Sequence, residues 1–381
     1  MANDSFSLLD ALRKSGMDKD ADFLRQSVQA LSQALIEAEA TERIGAASYE
    51  RSADRLTYRN GYRQRDWDTR VGTLTLSIPK LRQGSFFPSL LEPRRRVEKA
   101  LVSVVQEAYV HGVSTRKVDE LVQALGMTGI SKSTVSRLCA ELDAEVERFR
   151  NRRLEGEYPY IWLDATFLKQ REDGRVQNKA MVIAVGVRET GDRQILGFDL
   201  GASEDGAFWL EFLRSLVARG LKGVRLVISD SHEGLKQAIQ AALQGATWQR
   251  CRVHFVRNVL AHVPKSAQQM VAASIKTIFI QQDQASARAQ LGYVAQGLGK
   301  RFARAAEILL EAEEDILAYM AFPSEHWRQI YSTNTLERLN KELKRRTDVV
   351  GIFPNHNSVI RLAGSVLMEQ DDEWAVGKRY F

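Results

Sequence analysis

The chain has 381 residues, enough for two or three domains at about 100–200 residues each. It is 44% hydrophobic and 27% charged, which excludes a disordered or fibrous chain, and its net charge of +6 favours a polyanionic partner. Two cysteines, Cys139 and Cys251, exclude a disulfide framework, and the lack of a long apolar run excludes a membrane span, so a soluble protein of the reducing cytoplasm is expected.

Leu24, Val28, Leu31 and Leu35 share one face at helical spacing, which predicts a helix over residues 20–40 whose apolar stripe serves packing or self-association. Arg55 to Arg70 interleaves arginines with Tyr58, Tyr62 and Trp67, a mixture suited to phosphate contact and base stacking. The same stretch also reads as a solvated hairpin edge, because Val71, Leu74, Leu76 and Ile78 have strand character around Gly72.

A basic run, Arg94, Arg95 and Arg96, precedes a helix carrying Val97, Leu101, Val104, Val105 and Ala108 on one face. Two helices follow. Val118, Leu121, Val122 and Leu125 line the first, which Gly126 is expected to stop, and Val135, Leu138, Cys139 and Leu142 line the second, with Ser131 or Ser133 as N-cap. A short turn at Gly129 joins them in the layout of a helix-turn-helix, which would present Lys132, Ser133, Ser136 and Arg137 to a DNA major groove.

From Tyr158 to Leu168 both alternating sets of a strand are apolar: Tyr158, Tyr160 and Trp162 on one face, Ile161, Leu163 and Phe167 on the other. Such a strand belongs inside a covered sheet, where Asp164 is costly unless hydrogen-bonded or bound to a cation. Ala180 to Val187 and Gln194 to Leu200 read as the next two strands, with a hairpin turn at Glu172-Asp173-Gly174 between the first pair. A helix over Ala207 to Arg219 leads to a buried strand, Val224 to Ser229, which delivers Asp230 at its end. Three antiparallel strands followed by alternating helix and strand describe an RNase H-like arrangement, in which the first and fourth strands lie side by side and bring Asp164 to Asp230. Asp230 has a competing use as N-cap of the next helix, with Glu233 completing a capping box.

Residues 258 to 330 read as helical throughout, an insertion within the α/β core. A helix over Asn334 to Arg346 then buries Leu336, Leu339 and Leu343 and carries Glu337, Lys341, Lys344 and Arg345 elsewhere on its surface. Glu337 also has a capping-box alternative with Asn334, and Lys341 could pair with it at i+4. An acid that binds metal beside cations that hold phosphates explains the mixture better. Asp164, Asp230 and Glu337 are hard oxygen ligands of the kind that bind Mg²⁺ or Mn²⁺. Two such ions support phosphoryl transfer.

Across these segments the chain resembles the Mutator-like bacterial insertion-sequence transposases of the DDE superfamily. The resemblance runs through EATERIGA, YRNGYR, IPKLRQGSFFPSLLEPRRR, AYVHGVSTRKVDELVQALG, GISKSTVSRLCAELD, WLDATF, ISDSHEGLKQAI, WQRCRVHFVRN and NTLERLNKELKRR. It implies that Asp164, Asp230 and Glu337 form the catalytic metal-binding triad with two Mg²⁺ or Mn²⁺ ions; Glu342 on the same helix is a rival, but NTLER matches the family's position for the catalytic acid. It also implies double-stranded DNA partners (terminal inverted repeats and target), at least a dimer, and no membrane or small-molecule substrate. Arg94, Arg95, Arg96, Lys341, Lys344 and Arg345 join the helix-turn-helix residues as expected DNA contacts. Cys251 and His254 belong to a family motif of unassigned role; with only one further cysteine, in another domain, a structural zinc is not expected. A non-catalytic DNA-binding repressor and a nuclease that cuts without joining remain alternatives. The expected division is 1–90, a helical and β-hairpin region for DNA binding or self-association; 91–150, the helix-turn-helix; 155–257, the first part of the catalytic core; 258–330, the insertion; and 331–381, the core's final part.

Overall fold

The computed structural model describes residues 20–47, 49–91, 98–124 and 131–381, and the chain divides into two units, Met1–Ala140 and Glu141–Phe381. In the first, alternation in β2 (Gly72–Leu81) turns Leu74, Leu76 and Ile78 inward, each fully buried, while its partner β1 (Arg59–Thr69) is exposed from Asn60 to Gln64 and half-buried beyond. The Arg55–Arg70 stretch is thus the outer strand of a hairpin. Arg65 stacks on Phe87 at 5.0 Å.

Helix α1 (Asp20–Ile44) lies along β2, with Arg25, Gln29 and Gln33 donating to the carbonyls of Thr73, Thr75 and Ser77 at 2.8–3.0 Å. These bonds satisfy a strand edge and fix the helix's rotation. Ile36, Ala40 and Ile44 consequently enter the core with Val28 against them, and Leu24, Leu31 and Leu35 are more than half exposed. The stripe read from sequence as one face is therefore split, with only Val28 turned inward.

Helices α2 (Lys99–Val110), α3 (Thr115–Ala124) and α4 (Lys132–Cys139) complete the first unit, burying Leu101, Val105, Val118, Val122, Val135 and Cys139. Ser131 caps α4 by accepting from the Thr134 N–H at 3.2 Å, which decides between the two candidate caps. Leu121 is 39% exposed, against its expected place in the buried stripe, and Leu142 falls in the next helix. The joining turn with Leu125, Gly126 and Gly129, and Arg94, Arg95, Arg96 and Val97, lie outside the described residues.

The second unit opens with α5 (Leu142–Arg150) and is built on a five-stranded mixed sheet. Its strands are β3 (Tyr160–Glu172), β4 (Arg175–Val187), β5 (Arg193–Gly201), β6 (Leu226–Ser229) and β7 (Thr247–Arg250), in the order β5-β4-β3-β6-β7. The turn from β3 to β4 has Asp173 at φ 49° and Gly174 at φ 75°, two successive left-handed residues that match the twist of a two-residue hairpin. β3 runs antiparallel to β4 and parallel to β6, so Tyr160, Ile161 and Trp162 pair with Leu226, Val227 and Ile228. The first and fourth strands of this sheet are therefore neighbours. Beyond Asp164 only the face of Thr166, Leu168 and Gln170 stays covered, and Phe167 on the other is 51% exposed where the sequence placed it inside.

Helices α6 (Gly206–Ala218) and α7 (Glu233–Ala242) cover one sheet face, burying Trp209, Phe212, Leu213, Leu216, Leu235 and Ile239. Their N-termini meet at Gly206 and Gly234, where a Cβ added to Gly234 would stand 2.8 Å from the Gly206 nitrogen. That closeness fixes the chain just before α7, where Asp230 lies. Helices α8 (Arg252–Ala261), α9 (Lys265–Ile278), α10 (Gln284–Gly299), α11 (Ala303–Glu311), α12 (Glu313–Leu317) and α13 (Trp327–Ile330) follow β7. Buried Gln249 joins this block to β7, donating to the Ile316 carbonyl at 3.2 Å and accepting from the Tyr319 N–H at 2.8 Å. The Arg252 guanidinium lies 3.6 Å from the centroid of the Tyr331 ring, and the Arg252 backbone N–H donates to the Tyr331 carbonyl.

The chain so returned forms α14 (Asn334–Thr347), then α15 (His356–Val376). Asn355 and Ser358 form a capping box at the start of α15, and its buried Arg361 holds both carboxylate oxygens of Asp143 on α5 at 2.6 and 2.7 Å. Finally, Tyr380 and Phe381 pack back on the sheet against Trp162 and Tyr160. Among the described residues no helix is long and apolar enough to cross a membrane.

Candidate active site

Three elements converge where the β3–β6 pairing ends, at the C-terminal end of β6 and partway along β3. Asp164 lies on β3, two residues past the last residue paired with β6; Asp230 follows β6 directly. The capping alternative for Asp230 does not hold, because His232 is the N-cap of α7 and its Nδ1 accepts from the Leu235 N–H at 3.1 Å. Glu337 lies in the first turn of α14, where Thr333 occupies the cap position without a side-chain bond, so the capping box with Asn334 is also absent. Its charged neighbours are His254, whose Nε2 stands 3.5 Å from Glu337 Oε1, and Arg257, 4.0 Å from the same oxygen.

Two side chains link the acids. Asn340, one turn beyond Glu337 on α14, donates from Nδ2 to Asp164 Oδ2 at 2.7 Å, while the Ala165 N–H donates to Asp164 Oδ1 at 2.9 Å. His254, in the first turn of α8, sets Nδ1 against Asp230 Oδ1 and turns its other nitrogen to Glu337. Cys251 caps the start of α8, fully buried, and its sulfur accepts from the backbone N–H and hydroxyl of Thr333 at 3.4 and 3.3 Å. The Cys251 N–H donates to the Ser229 carbonyl at 2.7 Å, which puts the cysteine beside Asp230 through the parallel β6–β7 pairing. The ligand atoms of Asp230, Cys251 and His254 lie within 4.8 Å of one another, and Asp164 and Glu337 border that group.

The electrostatics follow from crowding and burial. Burial, then the neighbouring Asp230 charge, push the Asp164 carboxyl up to about 7, against the stabilising Ala165 N–H. Contact with Asp230 and then Cys251 raises the His254 imidazole to about 10, outweighing its burial. It therefore carries a positive charge between two of the three carboxylates. Asp230 Oδ1, Glu337 Oε1, His254 Nδ1 and Asn340 Oδ1 are shielded from water without a well-formed hydrogen bond: His254 Nδ1 and Asp230 Oδ1 abut but lack its geometry. Buried carboxylate oxygens left in that state, beside an acid whose ionisation is opposed, fit a site that takes divalent cations.

Glu342 does not enter this site. Arg345 and Arg346 hold its carboxylate at 2.7–2.8 Å and draw it down to about 2, and Arg346 also reaches Glu369. Lys341, Lys344 and Arg345 are exposed on α14. Lys341 forms no ion pair with Glu337 among the described residues. Ser133, Ser136 and Arg137 are exposed on α4, whose first residue is Lys132. Asn340 and Thr333 were missed from the sequence; Asn340 carries a readable signal, since it stands three residues after Glu337 and so one turn away on the same side of its helix.

Two acids carried on adjacent strands of a mixed sheet, with a third returned by a helical block, form a carboxylate cluster suited to divalent-cation chemistry on phosphates. The family description "Transposase, Mutator family" matches residues 2–377, and the chain belongs to that family. It is similar to the transposase of insertion sequence element IS1081 from Mycobacterium tuberculosis, 51% identical over 94% of this chain and 87% of that one. The transposase of IS256 in transposon Tn4001 from Staphylococcus aureus is 41% identical over 91% of this chain and 90% of its own. That of IS905 from Lactococcus lactis is 32% identical over 89% and 87%.

Proposed function

We propose that this chain binds the terminal inverted repeats of an insertion sequence and catalyses metal-dependent DNA cleavage and strand transfer on an RNase H-like core. The observation that carries the reading is the meeting of Asp164, Asp230 and Glu337 from two adjacent strands and a distant helix, linked by Asn340 and His254. Asp164, Asp230 and Glu337 would hold two Mg²⁺ or Mn²⁺ ions. When bound, such ions activate the attacking oxygen and stabilise charge on the leaving one. Asn340 orients the Asp164 carboxylate, and the His254 imidazolium offsets the charge of Asp230 and Glu337.

Two phosphoryl transfers make up the reaction. Water cleaves a phosphodiester at the transposon end and leaves a 3′-hydroxyl, whose oxygen then bonds to a target phosphorus while the 3′-oxygen of the target strand leaves. No protein nucleophile is required. Lys132, Ser133, Ser136 and Arg137 on α4 serve end recognition as the second helix of a helix-turn-helix, with Arg94, Arg95 and Arg96 nearby in sequence. Lys341, Lys344 and Arg345 meet phosphates along the exposed side of α14. The hairpin supplies a further basic surface: Arg51, Arg55, Arg59, Tyr58 and Tyr62 line a cavity of about 840 Å³. Synapsis of two ends requires at least a dimer.

The test is a strand-transfer assay with labelled end DNA and Mg²⁺, comparing the natural chain with Glu337→Gln. Joined product from the natural chain alone is expected. Cleavage without joining would overturn the transferase in favour of a nuclease, and binding without cleavage in either Mg²⁺ or Mn²⁺ would leave a repressor.

A further inference from the structure

The unassigned Cys251 and His254 do not stand alone: the β6–β7 pairing brings Asp230 to them, so three side chains of different chemistry face one point. Their ligand atoms lie within 4.8 Å of one another. Sequence spacing counted only the cysteine and histidine, and from that count alone a zinc site was not expected. The third ligand comes from another strand.

We infer that Asp230, Cys251 and His254 form a site for a thiophilic divalent cation, Zn²⁺, that competes with the Mg²⁺ chemistry of the neighbouring acids. A thiolate, an imidazole and a carboxylate are the three donor types that Zn²⁺ accepts together, whereas Mg²⁺ takes oxygen and keeps its waters. Asp230 Oδ1 and His254 Nδ1 already abut, shielded from water and without well-formed hydrogen bonds, and an ion between them would satisfy both. The sulfur is prepared in the same way. Thr333 directs two donors at it, the outer support a metal thiolate uses, and the residue is fully buried on β7's exit.

Three protein donors leave one tetrahedral position open to water, and the Glu337 carboxylate, 3.5 Å from His254 Nε2 on the far side of the ring, would steady the imidazole as an outer partner. Zn²⁺ seated here engages Asp230 through the oxygen oriented toward the site and withdraws it from any cation shared with Asp164. The expected consequence, which rests on the proposed cleavage reaction, is inhibition of Mg²⁺-supported cleavage by Zn²⁺.

Cobalt reports the site directly. Titrating Co²⁺ into the full chain, kept reduced with a phosphine, is expected to give a near-ultraviolet sulfur-to-cobalt charge-transfer band with the strong visible absorption of tetrahedral Co²⁺, both displaced by Zn²⁺. Cys139→Ser should retain the band. Cys251→Ser should lose it, and Asp230→Asn, which keeps the side-chain shape, should weaken Zn²⁺ binding by about a hundredfold or more, beyond the usual cost of losing an outer partner. Thr333→Val, which removes one donor to the sulfur, should weaken it by about tenfold. No thiolate band in the natural chain, or a band that follows Cys139, would overturn the site. A band without Zn²⁺ inhibition of cleavage would overturn the competition. Failure of cleavage with every metal would instead sink the proposed reaction, while the cobalt spectrum would still decide the site.

Discussion

Asn340→Ala isolates the positioning of Asp164 from the acids themselves. Asn340 supplies the one side-chain hydrogen bond to this carboxylate among the described residues, at 2.7 Å; its second bond comes from the Ala165 backbone and survives the substitution. A hydrogen bond to a charged group contributes about 1.5–3 kcal/mol. If Asp164 must be ionised and oriented in the transition state, that loss corresponds to a cleavage rate about 10- to 150-fold lower. The assay is single-turnover cleavage of end DNA at saturating protein, repeated across a Mg²⁺ titration, with thermal melting of both proteins. The expected result is a slower rate and a higher Mg²⁺ requirement, with end binding retained. Cleavage within about twofold of the natural rate at the same Mg²⁺ midpoint would refute the positioning role. A rate loss matched by collapse of the melting transition would assign the bond to folding instead.

Other consequences are open to measurement. Asp164→Asn should abolish cleavage and joining while end binding persists, as read by gel shift. In metal-free protein the same substitution should raise the melting temperature above about pH 7. The folded acid titrates near 7 rather than near 4, so folding binds extra protons in that window and its ionisation costs stability as pH rises; the benefit of the amide should fade below about pH 4, and a pH-independent gain would refute this. Glu337→Gln should eliminate cleavage, whereas Glu342→Gln should retain it and lower only the melting temperature; the reverse pattern would exchange their roles. Lys132→Ala with Arg137→Ala should weaken end binding and reduce the salt slope by about 0.9 for each phosphate no longer neutralised, and an unchanged footprint would remove α4 from DNA recognition. Deleting Tyr380 and Phe381 should destabilise the fold by about 2 kcal/mol, because Trp162 would lose the Tyr380 ring and Tyr160 the Phe381 ring, seen in denaturant melts.

Much of the sheet was readable because each strand faces a demand that repeats every two residues. The apolar run from Ala180 to Val187 and the Asp173-Gly174 turn place β3 and β4 without tertiary information. Other features depend on partners that no local pattern contains. Helix α1 carries two apolar stripes, Leu24-Leu31-Leu35 and Ile36-Ala40-Ile44, and glutamine bonds to the distant β2 backbone choose the second for burial. Phe167 follows the alternation of a covered strand, yet β3 outlasts the cover on that one face. The acids were findable as lone carboxylates at the ends or centres of apolar runs. Asn340 carries no charge, and its meaning comes from which carboxylate α14 brings within reach. His232 displaced Asp230 as a cap through its ring nitrogen, a use of histidine that capping preferences do not favour.

The helical block between β7 and α14 has a consequence for how the protein is made. Asp164 and Asp230 leave the ribosome long before residue 337, and the block must fold and dock on Gln249 and Arg252 before α14 can reach the sheet. A nascent or truncated chain therefore holds two opposed carboxylates with neither Glu337 nor Asn340 beside them. The contact from Asn340 to Asp164 spans 176 residues, a long-range closure that cannot precede the synthesis of α14. Folding acts as a timer: the two strand-borne acids wait for Glu337 and Asn340, and the carboxylate cluster is completed only once α14 has been made and docked.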